Sequence, residues 1–126
     1  MILNSSNYPF NGAVSELSWP GCILRVTTAK DGFFSKQSTV VKAVPFEGAP
    51  PSTGYVVGKL MWSGNLGSED RQRCHHEFVR ELNMYSTKIE NEGLALHPEA
   101  QFLFLEAAVQ SFQRRGLIKS FIQPTA

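Results

Sequence analysis

The chain of 126 residues is 42% hydrophobic and 18% charged, with a formal net charge of +1. That length fits one domain, the composition is too apolar for a disordered segment, and the balanced charge exerts no global pull on nucleic acid or an anionic membrane. The two cysteines form no disulfide framework.

The opening Met1-Ile2-Leu3-Asn4-Ser5 lacks the basic start and long apolar run of a signal peptide. No run of about 18 apolar residues occurs, so no membrane span is expected. These features predict a cytoplasmic protein with reduced thiols at Cys22 and Cys74.

Residues 1–11 are polar and turn-rich and read as an irregular arm. A short β run over 13–17 leads into Ser18-Trp19-Pro20-Gly21, where proline pre-sets φ and glycine accepts a positive one. Residues 22–29 are rich in β-branched side chains and predict a strand. Asp31-Gly32 is the strongest hairpin signal in the chain. A strict two-residue turn would place Thr39 opposite Leu24. A three-residue loop would place Val40 there and Val41 opposite Ile23, and is preferred because it pairs apolar side chains. The returning strand runs to Val44, and the proline-rich stretch 45–53 cannot be regular structure. Residues 54–62 are apolar on both faces, which predicts a central strand.

From Ser68 the hydrophobic period changes to that of a helix. Ser68 reads as the N-cap, and Glu69 and Asp70 suit the positive end of the helix dipole. Cys74, Phe78, Leu82, Tyr85 and Ile89 recur at steps of three and four, and Gly93 reads as a left-handed cap. Pro98 opens a second helix whose only polar strip is Glu99, Glu106, Gln110 and Gln113. So apolar a helix must be buried by its own chain or by a partner. Gly116 stops it, and 117–122 reads as a strand or a docked tail.

The fold expected is therefore α+β, a three- or four-stranded, mostly antiparallel sheet followed by a two-helix hairpin packed on one face. It is a single domain over 1–126, with a β-rich half over 12–62, a helical half over 68–116 and a tail over 117–126.

Chemistry is harder to find. Cys74, His75 and His76 point about 100° apart around a helix and cannot converge on one metal unaided. Cys74 reads as core, His75 as lying at the edge of the apolar stripe, and His76 as facing solvent. The loop 63–68 lacks the lysine and spacing of a phosphate-binding loop. Glu77 and Glu81 share a helix face with Arg73, Arg80 and Lys88, the makeup of a solvated surface. No nucleophile or dinucleotide motif occurs. No catalytic residue, metal or cofactor is expected.

Two surfaces remain. The hairpin tip sets Phe33 and Phe34 beside Lys30 and Lys36, and an exposed phenylalanine there would anchor a protein contact. Arg73, His76 and Arg80 form one basic stripe, and Arg114, Arg115 and Lys119 a second cluster; both could touch phosphates. The sequence thus predicts a non-catalytic protein-binding module (an adaptor, inhibitor or assembly subunit), with the second helix a candidate homodimer face. Two alternatives are a nucleic-acid-binding accessory protein using the basic clusters and a small thiol or metal-site enzyme around Cys74.

Overall fold

The computed structural model describes residues 10–30, 38–44, 54–64, 66–93 and 98–123. The elements run β1 (Ala13–Trp19), β2 (Cys22–Thr28), β3 (Ser38–Val44), β4 (Tyr55–Trp62), α1 (Ser68–Asn91), α2 (Pro98–Arg114) and β5 (Ile118–Ile122). All five strands form one antiparallel sheet in chain order, β1 to β5.

The class expected from sequence is found, but the sheet has five strands rather than three or four. The run over 13–17 extends to Trp19 as a full edge strand, its residues alternating between core and solvent sides. The segment 117–122, read from sequence as a strand or a docked tail, holds the strand β5, which pairs with β4. As a result β4 is not the middle of the sheet; β3 is.

Each turn follows from its local chemistry. Trp19 pairs with Cys22, so Pro20 and Gly21 (φ 87°) close a two-residue turn that only glycine fills without strain. At the end of α2, Gly116 at φ 75° donates its N–H to Gln113 and Leu117 donates to Phe112, satisfying the last carbonyls of the helix. Gly93 takes the same left-handed conformation after α1. At the start of α1 the expectation is corrected: Gly67 is the N-cap, without a side-chain cap bond, and Ser68 is already helical.

Neither hairpin register expected from Asp31-Gly32 occurs. Leu24 faces Ala43, Val26 faces Val41, and Thr28 faces Thr39. That register gathers Leu24, Val26, Val41 and Ala43 on the core side; placing Val40 there instead would have turned Val41 to the other face. Ala29 donates its N–H to Ser38, which closes the connection well beyond a tight turn.

Both helices send side chains into the single buried cluster that also holds the inward strand residues. Its centre is three rings packed edge to face: Trp62 lies 6.1 Å from Phe78 and 6.0 Å from Phe112, and Phe78 lies 5.6 Å from Phe112. Leu60, Leu82, Ile89, Ala108 and Val109 surround them, all fully buried. A bulge at Val57 turns both Val57 and Gly58 inward. The missing side chain at Gly58 makes room for the ring of Phe121, which would lie 2.5 Å from a Cβ placed there.

Among the described residues, no helix is long and apolar enough to cross a membrane.

Candidate functional site

Strand alternation sends half of each strand into the core and half to the opposite face of the sheet. The register assembles that outer face in rows. One row runs Glu16, Arg25, Lys42 and Val56 across β1 to β4. The next runs Val14, Thr27, Val40, Lys59 and Ile122 across all five strands. Met61 and Ser120 lie beyond the second row, and Ile23 and Val44 beyond the first.

This face is both apolar and cationic. Val14 and Ile122 are 62% and 64% exposed, and Val56 is 40% exposed. Ile23, Val40 and Met61 are half-buried, and Val44 is buried at one end. Arg25 and Lys42 stand directly opposite one another, a like-charge pairing that costs stability in a sheet. Arg25 reaches Glu16 at 3.5 Å. Among the described residues Glu16 is the only acid on this face; Asp31 and Glu47 lie outside them. The apolar character of β4 on both sides, read from sequence as centrality, has this origin: Val57, Leu60 and Trp62 serve the core while Val56 and Met61 line the outer face.

The residues singled out from sequence fall elsewhere. Phe33, Phe34 and Lys36 lie outside the described residues, and Lys30 is exposed just after β2. Arg73, His76, Arg80, Arg114, Arg115 and Lys119 are all exposed, as expected. The fold joins part of the two basic groups: Arg115 lies 3.3 Å from Glu77 and stacks on Phe112 at 5.0 Å, and it lines one open depression with Arg80, Glu81 and Met84. Arg73 is paired with Asp70 at 2.6 Å. Arg80 and Arg115 stand around this depression with Glu77 and Glu81, two cations with two carboxylates.

The apolar circumference of α2 is largely used inside the chain, where Leu105, Ala108, Val109 and Phe112 are buried. Phe102 and Leu103 remain exposed at its start. Phe102 borders a small apolar depression with Trp19, Cys22, Tyr55 and Val57.

His75 is the residue that sequence reading placed wrongly. It is fully buried rather than at the edge of the stripe, and it anchors a polar chain through the core. Trp62 Nε1–H donates to Thr39 Oγ1 at 2.7 Å, Thr39 and Thr28 share a bond of 2.6 Å, Thr28 meets His75 Nδ1 at 2.6 Å, and His75 Nε2 meets Ser15 Oγ at 2.8 Å. One order gives every buried proton an acceptor within the chain: Trp62 to Thr39, Thr39 to Thr28, Thr28 to Nδ1, and Nε2–H to Ser15. Burial, and then the neighbouring His76, lowers the His75 pKa from 6.5 to about 4. A neutral, enclosed imidazole in this setting locks β1, β2, β3, β4 and α1 into one register, since any slip would orphan its partners. The one local signal is that His75 stands three residues before Phe78 of the apolar stripe.

Cys74 is also buried, and burial followed by the charge of Glu77 raises its thiol pKa. A reactive thiolate needs the opposite shift. We expect Cys74 to resist a thiol reagent such as iodoacetamide in the folded protein and to react on unfolding in urea, as read by intact mass; labelling at the same rate in both states would contradict this placement. Among the described residues no group of three or more His, Cys, Asp or Glu side chains could hold a metal ion.

No family model, no curated protein and no solved structure matches this chain.

Proposed function

We propose that the protein is a non-catalytic binding module, an adaptor, inhibitor or assembly subunit, that recognises another protein through the outer face of its sheet. One observation carries this reading. The helices that share the core lie on the inner side, while the outer side keeps Val14, Val56 and Ile122 in solvent beside Arg25, Lys42 and Lys59. Exposed apolar side chains gathered on a rigid sheet and interleaved with charge are what a protein partner buries. Nucleic acid is the less favoured reading: single strands bind sheet faces by stacking bases on aromatic rings, and the outward positions of the described strands carry none.

The test replaces Val56 and Ile122 together by serine (V56S/I122S). Both are exposed enough that folding stability should change by no more than about 1 kcal/mol. Loss of their burial in a complex should weaken it by about 2 kcal/mol, roughly thirtyfold. The readout is recovery of stoichiometric protein partners from nuclease-treated native extract. A matched variant on the helical surface, M84S, should recover them as the wild type does. Equal recovery by V56S/I122S would refute the reading.

A further inference from the structure

We infer that two copies of this chain join edge to edge through β1, about a two-fold axis at Ser15, so that their sheets run on as one. This goes beyond the outer-face reading and does not depend on it.

The first argument is which main-chain groups are open. Ala29 donates its N–H to Ser38, so odd-numbered residues of β2 bond to β3 and even-numbered ones to β1. The pairing of β1 with β2 then sets the N–H and C=O of residues 13, 15, 17 and 19 inside the sheet. Those of Val14, Glu16 and Ser18 aim at the free edge. The Ser18 carbonyl is closed by Ser86 of α1, whose hydroxyl donates to it at 2.7 Å. Among the described residues nothing bonds the edge groups of Val14 or Glu16. The two edges of the sheet are not alike. β5 has five residues, a register shift beside it at Met61/Trp62 and an exposed lysine, Lys119, all features that blunt an edge. β1 has seven residues paired without a shift and holds neither lysine nor proline. An edge so regular is a template for another strand.

The second argument is fit. A two-fold contact pairs the strand with itself in antiparallel sense, so each register can be checked for conflict. With Ser15 on the axis, Val14 of each copy faces Glu16 of the other. Each such pair exchanges both its bonds, and every open group of Val14 and Glu16 is used. Ser18 keeps its bond from Ser86. Ala13 faces Leu17 of the other copy on the core side. On the outer side the exposed Val14 meets a Glu16 whose charge Arg25 already holds at 3.5 Å. Moving the axis to Glu16 sets two carboxylates directly opposite, and there or at Leu17 the pairing takes the Ser18 carbonyl from Ser86. Moving it to Val14 brings in Gly12, which lies before the strand at φ 88°. One register of the strand against itself is therefore free of conflict, and this points to a second copy as the occupant. The joined sheet takes five strands from each copy and has one continuous outer face.

The experiment is sedimentation of the whole protein from about 1 μM to about 1 mM, a range that covers tight and weak association. The mass should rise toward that of two chains and stop there, because a two-fold contact closes on itself. Val14→Pro removes an edge donor and leaves the β1–β2 ladder intact, since the N–H at position 14 faces outward. It should keep the fold and weaken association at least tenfold. Amide exchange of the wild type gives a measurement independent of that variant. The Val14 and Glu16 amides should exchange at least tenfold more slowly at the high concentration than at the low one, with those of β5 unchanged. A wild type that stays monomeric throughout leaves the β1 edge to some other chain and overturns the proposal. So does a mass that climbs past two chains, a folded Val14→Pro variant that associates as the wild type does, or Val14 and Glu16 amides indifferent to concentration.

Discussion

Lowering the pH from 7 to 4 is expected to remove about 3 kcal/mol of folding stability through His75 alone, at 1.36 kcal/mol for each unit between 6.5 and about 4. In the unfolded chain the imidazole has its ordinary affinity for protons. In the folded chain burial and His76 suppress it, and Nδ1 already accepts the Thr28 hydroxyl. The unfolded state therefore takes up a proton that the folded state refuses. Stability is complete above pH 6.5, declines as the pH falls toward 4, and levels off below that. Carboxylates titrate in the same range, so the measurement is a comparison: urea unfolding of the wild type and of His75→Gln at steps from pH 7 to pH 4. The variant starts lower, having lost ideal geometry in the polar chain, and its curve should be flatter by about 3 kcal/mol. Parallel curves would mean that His75 carries no such load.

The second large effect belongs to Trp62. Trp62→Ala is expected to cost about 4 kcal/mol, the usual loss for a fully buried large aromatic, and to lower Tm by about 15 °C. Two losses combine there: the edge-to-face contacts with Phe78 and Phe112, and the N–H that Thr39 accepts. Trp62→Phe separates them. It keeps a ring in the aromatic cluster and removes the donor, so it should cost about 2 kcal/mol, the range for breaking a buried hydrogen bond. If the phenylalanine variant proves as damaging as alanine, the polar chain dominates at this position. If it is neutral, the N–H contributes nothing. Thermal unfolding with both variants distinguishes these results.

Much of this architecture could be read from local chemistry. The step from period two to period 3.6 at Ser68, the turn at Pro20-Gly21 and the glycine stops at 93 and 116 each arise from a few neighbouring residues, and each is where expected. What could not be read depends on residues far apart. The β2–β3 register turns on which face of β3 is needed to complete a core supplied partly by Phe78 and Phe112, and the hairpin signal at Asp31-Gly32 does not carry that information. The bulge at Val57 reverses which β4 residues face inward, and nothing local to Val57 announces it. The outer face was missed for a related reason. Arg25, Lys42 and Lys59 are spread along the sequence and become neighbours only when three strands align, whereas Arg114 and Arg115 stand together in the sequence and attract notice. His75 was placed at the edge of the apolar stripe rather than inside it because the two hydroxyls that hold its ring, Ser15 on β1 and Thr28 on β2, are far from it in the sequence.

The order of strands carries a consequence for how the protein acquires its structure. β1 through β4 form a meander in which each strand pairs with its immediate successor, so those contacts can form early with short loops to close. β5 is different: Trp62 and Ile118 are paired although more than fifty positions separate them, with both helices between. Until that closure is made the β4 edge is bare and Gly58 lacks the covering ring of Phe121. β5 is therefore expected to join after the meander, and its amides to exchange with solvent faster than those of the interior strand β3, as hydrogen exchange would show. Every brief opening there uncovers the β4 edge as a strand-pairing template.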